Sequence, residues 1–413
     1  MRTLLAIANK YNLNIIQMDV KTAFLNGVLE RDIYMEIPDG VELELSDRKN
    51  KVCKLLRALY GLRISPKCWN RKFTLVAESV GLKSDDKDPC LFTWREGSKF
   101  ITLLLYVDDM LLTEPKEFLG VEIVRDRKNR VMFLHQKTYA GKILKRFGMS
   151  ECKIVSTPMV TRQVRNRKLK DFMEGKSSGS SSEQVLIQQT NKQKLFPYRE
   201  AVGSLLYLTG ATRPDISYAV NMISRNQENP TADDWAEVKR ILRYLRGTLD
   251  KGLTFKGETE ELTAYSDASF KDCIVTGRST AGFVIRMFGD TVHWRCMKQK
   301  VVATSTCDAE YIAMGDTAKA VLAVQYIIER VLQRDICCNL NCDNRSALDC
   351  IDTSGGPKLM HLSLKQHFIR SIRETGQIET SWVPSDEQWA DIMTKPLALG
   401  DFEKLRTLIL NDN

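Results

Sequence analysis

The pattern of apolar and polar positions in the first part of the chain predicts alternating short strands and helices. An apolar strand ends at Asp19, and a helix covers Trp69 to Val80. A long apolar run from Phe100 to Leu112 is interrupted by two adjacent acids, Asp108 and Asp109. Because an unbroken strand would send one of these carboxylates toward the core, the interruption predicts a hairpin with both acids at its tip.

The two acids at this tip favour a metal site over a plain turn. Carboxylates held close together repel each other, which raises the pKa of one of them unless a cation lies between them. A divalent metal is such a cation. A solvated acidic turn is the alternative interpretation, and it would be preferred for an isolated pair of aspartates. The apolar residues on both sides of this pair favour the metal site.

The middle of the chain, from Phe196 to Leu249, is predicted to be helical. Thr231 and Asp234 have the spacing of a capping box, and Gly247 ends the helix that follows. One face of this helix is apolar and another is basic. The basic residues are Lys239, Arg243 and Arg246. Such a basic face is equally typical of a helix that binds a phosphate backbone and of the solvent-facing side of a core helix.

The last segment, from about Leu262, is predicted to run strand, strand, strand, helix, strand, helix, strand, helix. Four acids occupy strand ends and helix beginnings. They are Asp267 in a strand, Glu310 in the first turn of a helix starting near Asp308, Asp343 at a strand end, and Asp391 in a helix beginning near Asp386. Each acid alone fits a cap or a surface charge. Functional groups converge at strand ends in open α/β sheets, so together they predict a cluster that metal ions would stabilise.

The length and charge of the chain indicate how many domains it has and which class of partner it binds. A chain of 413 residues exceeds what one hydrophobic core usually serves, so two or more domains are expected. Lys and Arg number 61 against 52 acidic residues, a net charge of +9, which favours a polyanionic partner, with nucleic acid as the first candidate. No apolar stretch is long enough to cross a bilayer, so no membrane partner is predicted.

The cysteines indicate the cellular compartment of the protein, and one polar segment indicates a linker between its domains. The 11 cysteines are scattered through a chain that shows no signal peptide, which predicts reduced thiols and an intracellular protein, cytoplasmic or nuclear and not secreted. Arg and Lys residues between 162 and 170 lead into a Ser-rich run at 177–182. This composition predicts a flexible basic linker, and a localisation signal is the alternative.

Ordered motifs along nearly the whole chain resemble the reverse transcriptase and ribonuclease H region of the Pol polyprotein of copia-type long-terminal-repeat retrotransposons. The first half contributes the motifs Met18–Gly27 and Tyr106–Leu112. A connecting segment contributes Ala201–Tyr207 and Ala211–Ile216. The last part contributes Tyr265–Ala268, Gly277–Gly282, Asp308–Tyr311, Cys342–Asn344 and Ala390–Leu397.

The resemblance implies an α/β fold in four parts. Residues 1–156 would form a partial α+β palm-type polymerase domain, and residues 157–195 a basic Ser-rich linker. Residues 196–258 would form a helical thumb or connection, and residues 259–413 a ribonuclease H-like α/β domain with a mixed sheet.

The resemblance also implies two active sites, each with two Mg²⁺ ions or, alternatively, Mn²⁺. The polymerase acids would be Asp19, Asp108 and Asp109, and the ribonuclease H acids would be Asp267, Glu310, Asp343 and Asp391. Phe24 would lie against the sugar of the incoming nucleotide, although it also fits a core aromatic, and Tyr106 would lie near the primer end. The implied partners are an RNA template, a DNA primer, an RNA–DNA hybrid and deoxynucleoside triphosphates; the oligomeric state is left open.

The chain departs from the family pattern at several places. It begins at Met1 after the expected position of the basic fingers region, and only a few residues replace the expected helix and strand between Thr113 and Phe118. Ile64 replaces a usual glutamine, and Ser363 replaces a usual aspartate. These losses affect the polymerase most, because triphosphate positioning governs its rate. The alternatives to a full reverse transcriptase are therefore a remnant with ribonuclease H activity alone and a non-catalytic nucleic-acid-binding remnant.

Overall fold

The computed structural model describes residues 1–41, 51–97, 99–112, 117–161, 196–273, 275–352 and 363–412. Helices and strands alternate along these ranges, and the largest sheet of the last part is mixed, so the predicted α/β class is confirmed. Most of the predicted basic linker and most of the shortened segment after Thr113 lie outside the described residues. None of the helices in the described ranges has the length and apolar character that a bilayer crossing requires.

The chain forms two compact units. The first contains residues 14–119, and the second contains residues 2–13 and 120–413. Helix α1 (Arg2–Lys10) therefore belongs to the second unit, although the whole first unit follows it in the sequence. The unit boundary does not coincide with the predicted domain boundary at residue 156, and the division into four functional domains stays a prediction.

The first unit is built on an antiparallel sheet. Its elements are β1 (Ile16–Asp19), a 3₁₀ turn (Ala23–Asn26), β2 (Tyr34–Met35), β3 (Cys53–Lys54), α2 (Ser65–Ser79), β4 (Lys83–Ser84), β5 (Leu91–Glu96), β6 (Lys99–Tyr106), β7 (Asp109–Leu112) and β8 (Glu117–Phe118). Five strands form one sheet in the order β1-β7-β6-β5-β4. One face of this sheet, with Leu103 and Leu105 on β6, packs in a core cluster with Phe24 and Trp69.

Before its last sheet, the second unit combines a small sheet with helices. Its elements are β9 (Val121–Asp126), β10 (Val131–His135), α3 (Lys137–Arg146), α4 (Tyr198–Ala211), α5 (Ser217–Ser224), α6 (Ala232–Arg246) and β11 (Leu253–Phe255). The predicted helical segment and the capping box of Thr231 and Asp234 are confirmed. On the basic face of α6, Arg243 donates to the Lys153 carbonyl at 2.6 Å and Arg246 pairs with Glu151. Because these arginines contact other parts of the chain, we interpret this face as the solvent-facing side of a core helix rather than as a phosphate-binding face.

The last sheet has the strand order β14-β13-β12-β15-β16. Its elements are β12 (Leu262–Ser269), β13 (Thr280–Met287), β14 (Asp290–Lys298), α7 (Thr306–Leu332), β15 (Cys338–Cys342), α8 (Arg345–Asp352), α9 (Ser363–Glu374), β16 (Ile378–Trp382), α10 (Asp391–Thr394) and α11 (Leu399–Leu410). Strand β15 runs parallel to β12 and β16, and the other pairs are antiparallel. The predicted order of elements is confirmed, with one more helix between β15 and β16 and one more after β16.

One predicted helix start is shifted by two residues, and another was wrong. Helix α7 begins at Thr306, two residues before the expected start, so Glu310 lies two positions further inside it than expected. No helix runs from Asp386 to Asp391; a 3₁₀ turn, Ser385–Glu387, precedes α10. The break lies at the buried Gln388, whose backbone is extended and whose side-chain amide donates to the Ser266 carbonyl at 3.0 Å.

A buried ion pair stabilises the helical part of the second unit. The Arg213 guanidinium donates to both carboxylate oxygens of Asp215, at 2.9 and 2.7 Å, and both side chains are almost fully buried. The Tyr244 hydroxyl donates to the same carboxylate at 2.7 Å. Burial acts to raise the pKa of Asp215, but the Arg213 charge and these hydrogen bonds hold it below its ordinary value.

We expect Asp215→Ala to lower the free energy of unfolding by about 3–5 kcal/mol, because it leaves Arg213 as an unpaired buried charge. Urea unfolding followed by tryptophan fluorescence measures this loss. The matched control is Glu200→Ala, which breaks the exposed Arg146–Glu200 pair, whose atoms lie 2.6 Å apart. That change should cost about 0–1 kcal/mol, and equal losses in the two variants would contradict the prediction.

Stability should also depend on pH through Asp290, which is fully buried at the start of β14. Burial raises its pKa to about 7, although the backbone amides of Lys256 and Gly257 donate to it. The folded state thus holds this proton more tightly than the unfolded chain, so the stabilisation is complete in acid and is lost as the pH rises through about 7. The melting temperature should fall less steeply over this range in Asp290→Asn; identical slopes would refute the assignment.

Candidate functional site

The first unit brings together Asp19, Asp108 and Asp109, here called the three-acid group. Asp19 ends β1 and pairs in antiparallel register with Asp109, the first residue of β7. Cross-strand partners of this kind point to the same face, with Cβ atoms about 4.5–5.5 Å apart. Asp108 lies in the loop before β7, and its carbonyl accepts from the amide of Val20 at 2.8 Å. The predicted hairpin is confirmed, but only Asp108 lies in its loop.

The loop of this hairpin has an unusual backbone. Tyr106 pairs with Asp109, which leaves Val107 and Asp108 as a two-residue connection. Val107 has φ 53°, a left-handed conformation that β-branched residues rarely adopt. The indole NH of Trp69, on α2, donates to the Val107 carbonyl at 2.7 Å. The helix therefore holds the strained loop against the sheet.

Aromatic residues surround the three-acid group. The Phe24 ring is buried, with 8% of its surface exposed, and its centroid lies 4.6 Å from that of Tyr60. The Tyr60 hydroxyl donates to Asp108 Oδ2 at 2.7 Å, which raises the pKa of the tyrosine. Sequence reasoning missed Tyr60, because nothing local ties it to an acid 48 positions away. Tyr106 is 57% exposed at the end of β6. The substrate contacts expected of Phe24 and Tyr106 stay predictions.

The three-acid group partly fits a divalent metal. Asp108 Oδ1 is buried and has no hydrogen-bond partner within the described part of the chain, so it is an acceptor available to a cation. Among the described residues, however, the carboxylate oxygens of the three acids do not all come within 4.8 Å of one another.

The second unit gathers the other four predicted acids, here called the four-acid cluster: Asp267, Glu310, Asp343 and Asp391. Ligand atoms of Asp267, Asp343 and Asp391 lie within 4.8 Å of one another, and so do those of Glu310, Cys342 and Asp343. Asp343 belongs to both groups, so the four carboxylates form one continuous cluster. Carboxylate oxygens are the ligands that Mg²⁺ and Mn²⁺ prefer, and this donor set fits either ion.

Close packing of α10 on the sheet places Asp391 beside Asp267. Asp267 pairs with Gly282 across β12 and β13. A Cβ atom on Gly282 would lie 2.5 Å from Cβ of Met393 and 2.8 Å from Cγ2 of Thr394. Glycine is therefore required for α10 to approach the strand, and with it Asp391 reaches the cluster.

Hydrogen bonds orient two of the cluster's carboxylates. The Ser385 hydroxyl donates to Asp343 Oδ2 at 2.9 Å, and the indole NH of Trp382 donates to the Asp343 carbonyl at 3.1 Å. The Thr394 hydroxyl donates to Asp267 Oδ2. Sequence reasoning did not single out these three residues, although Thr394 lies inside one of the quoted motifs.

Burial and mutual repulsion govern the charges of the cluster. Burial, followed by the charges of Asp267 and Asp343, raises the pKa of Glu310 well above its ordinary value. Burial and the Asp267 charge raise the pKa of Asp391 to about 7, and burial also raises that of Asp267. A divalent cation bound by these carboxylates would oppose the shifts and favour the ionised forms.

A lysine lies within the cluster. Lys395 Nζ is 2.6 Å from Asp391 Oδ1 and 3.3 Å from Asp267 Oδ1. Sequence reasoning missed this residue; its position four residues after Asp391 was the available signal, because such pairs meet on a helix surface.

Comparisons relate parts of this chain to known proteins. A family model described as reverse transcriptase (RNA-dependent DNA polymerase) matches residues 1–115. The crystal structure of LC11-RNase H1 in complex with an RNA/DNA hybrid aligns with 32% of this chain and 94% of its own, at 18% identity and a TM-score of 0.26, a likeness too low to carry a conclusion.

Two curated relatives extend over almost the whole chain. The retrovirus-related Pol polyprotein from transposon TNT 1-94 of Nicotiana tabacum is 34% identical over 99% of this chain and 32% of its own length. That from transposon RE2 of Arabidopsis thaliana is 33% identical over 97% of this chain and 28% of its own length. The chain thus spans about a third of the length of these relatives. It belongs to the family of retrovirus-related Pol polyproteins of copia-type retrotransposons.

Proposed function

We propose that the four-acid cluster hydrolyses the RNA strand of RNA–DNA hybrids, as the ribonuclease H part of a retrotransposon reverse transcriptase. The observation that carries this proposal is the meeting of four carboxylates beside one mixed sheet: Asp267 on β12, Glu310 on α7, Asp343 just after β15 and Asp391 on α10. In a purely structural role, this concentration of buried carboxylates would have only the single positive charge of Lys395 to compensate it.

In this proposal the chain's own residues hold a preorganised set of metal ligands. Asp267, Asp343 and Asp391 would hold one Mg²⁺ or Mn²⁺ ion, and Glu310 with Asp343 would hold a second. The bound metal would lower the pKa of the attacking water and neutralise the charge on the leaving oxygen. Ser385 and Thr394 keep two of the carboxylates in fixed orientations, so little reorganisation is needed when the ligand arrives.

The substrate class follows from what a protein can recognise in a hybrid. Side chains cannot read the deep, narrow major groove of an A-form duplex, so recognition would use 2′-hydroxyls and phosphates along the minor groove. The net charge of +9 favours such a polyanion. We place the reaction in the cytoplasm or nucleus, because the chain's cysteines are free thiols, which suit a reducing compartment.

The three-acid group supports a second candidate function, RNA-directed DNA synthesis from a DNA primer and deoxynucleoside triphosphates. The unpartnered buried oxygen of Asp108 favours it, since a metal there would satisfy that atom. Asp19 and Asp109 would supply the other ligands, with Phe24 against the sugar and Tyr106 near the primer end. Ile64 cannot make the polar contact that a glutamine would offer, so we rank this reaction second.

We expect Glu310→Gln to reduce magnesium-dependent cleavage of a labelled RNA–DNA hybrid by on the order of a hundredfold or more. The change removes a metal ligand worth several kcal/mol, and each ~1.4 kcal/mol is a factor of about ten in rate. Gel analysis of the labelled RNA measures the rate. The matched control is Glu329→Gln, an exposed acid on the same helix α7. Absence of both hybrid cleavage and primer extension in the parent chain would leave only the non-catalytic binding hypothesis.

We expect Asp109→Asn to abolish any primer extension on an RNA template while leaving hybrid cleavage unchanged. The variant removes a charge from the three-acid group in the first unit and leaves the four-acid cluster intact. Extension of a labelled primer, with cleavage of the same hybrid as the internal reference, separates the two activities. Asp86→Asn, at an exposed acid of the same unit, is the control. If Asp109→Asn extends primers as fast as the parent, the three-acid group is not a polymerase site.

A further inference from the structure

The Lys395 ammonium occupies a cation position inside the four-acid cluster. Its Nζ atom lies 2.6 Å from Asp391 Oδ1 and 3.3 Å from Asp267 Oδ1, so it bridges two proposed metal ligands. The two carboxylates are buried or half-buried, whereas the lysine side chain is 36% exposed. Lys395 therefore reaches into the cluster from its solvent side.

The local fold keeps the lysine there. Helix α10 spans only Asp391–Thr394, and the Lys395 amide closes it by donating to the Asp391 carbonyl at 2.9 Å. The short helix rests directly on Gly282, opposite Asp267, so it has little freedom to move away. The side chain, in contrast, is long and partly solvated, and it can swing outward without moving the helix.

An ammonium and a divalent metal cannot share this position. Oxygen ligands bind Mg²⁺ at about 2.0–2.1 Å. A metal held by Asp267 and Asp391 would then lie within a few ångströms of Nζ, where like charges repel strongly in a buried site. The ammonium must leave before the metal can bind, and the free energy of its two ion pairs opposes loading.

We propose that Lys395 is a built-in competitor for the divalent metal: it holds Asp267 and Asp391 in place in the metal-free protein and sets the metal concentration at which the site loads. Lys395 is a positioning residue in this scheme. The inference deepens the proposed ribonuclease H function and rests on it for the identity of the site. It differs from an ordinary structural ion pair, because removal of an ordinary ion pair would not strengthen metal binding.

The test is a calorimetric titration of the full chain with Mn²⁺, without nucleic acid. We expect Lys395→Met to bind Mn²⁺ about tenfold more tightly than the parent, because the competing charge is gone. Lys395→Arg keeps a competing cation and should stay within about threefold of the parent. The matched control is Lys319→Met, which removes an ammonium that lies over the Phe368 ring. Lys319 is on α7, nine residues or roughly 13 Å along the helix from Glu310. Its affinity should equal that of the parent.

Thermal unfolding shows whether Lys395→Met is folded. Without metal, Lys395→Met should melt at a lower temperature than the parent, because two carboxylates lose their cation. Saturating Mn²⁺ should then raise its melting temperature more than that of the parent.

The outcomes separate this inference from the proposed function. Equal or weaker Mn²⁺ binding by Lys395→Met would overturn the inference, as would the absence of Mn²⁺ binding in both the parent and Lys395→Met. Tighter binding by Lys395→Met in a chain that cleaves no hybrid would support the inference while refuting the proposed function.

Discussion

Repulsion among buried carboxylates is the constraint on which the second unit's functional geometry depends. Asp267 is 1% exposed and Glu310 is 6% exposed, and burial raises the pKa of both. Such groups can be ionised together only where cations compensate them. Lys395 supplies a single positive charge to four acids. The remaining negative charge makes this cluster a better place for divalent cations than for any neutral ligand.

The topology of the mixed sheet creates that crowding. Strands β12 and β15 are parallel and pair Tyr265 with Asn341, so Asp267 and Asp343 each lie two residues further on in the same direction. Helix α10 adds Asp391 from the β13 side of β12, and it can approach this closely only because Gly282 has no side chain. The glycine in the quoted motif thus has a steric role. It determines how closely α10 can approach the sheet.

Sequence patterns predicted those features of the fold that depend on interactions between residues close together in the chain. The Asp108–Asp109 hairpin, the capping box and the order of elements in the last domain follow from periodicity and from charges placed at strand and helix ends. Contacts between distant residues could not be predicted in this way. Lys395 meets Asp267 across more than a hundred residues, and α1, although amphipathic in sequence, finds partners such as Glu260 and Trp294 in the second unit. The extended backbone at Gln388 likewise depends on the Ser266 carbonyl.

The two candidate sites hold their acids in place by different physical means. In the four-acid cluster, burial, a lysine and donated hydrogen bonds fix the carboxylates before any metal arrives. In the three-acid group, Asp19 is exposed, and the arrangement rests on a strained Val107 whose left-handed backbone costs about 1–3 kcal/mol. The Trp69 hydrogen bond and the Tyr60 contact to Asp108 oppose that strain. Substitutions around the hairpin would therefore release the three-acid geometry more readily than equivalent changes around the four-acid cluster, which is a physical reason to rank the proposed ribonuclease activity above the proposed polymerase activity.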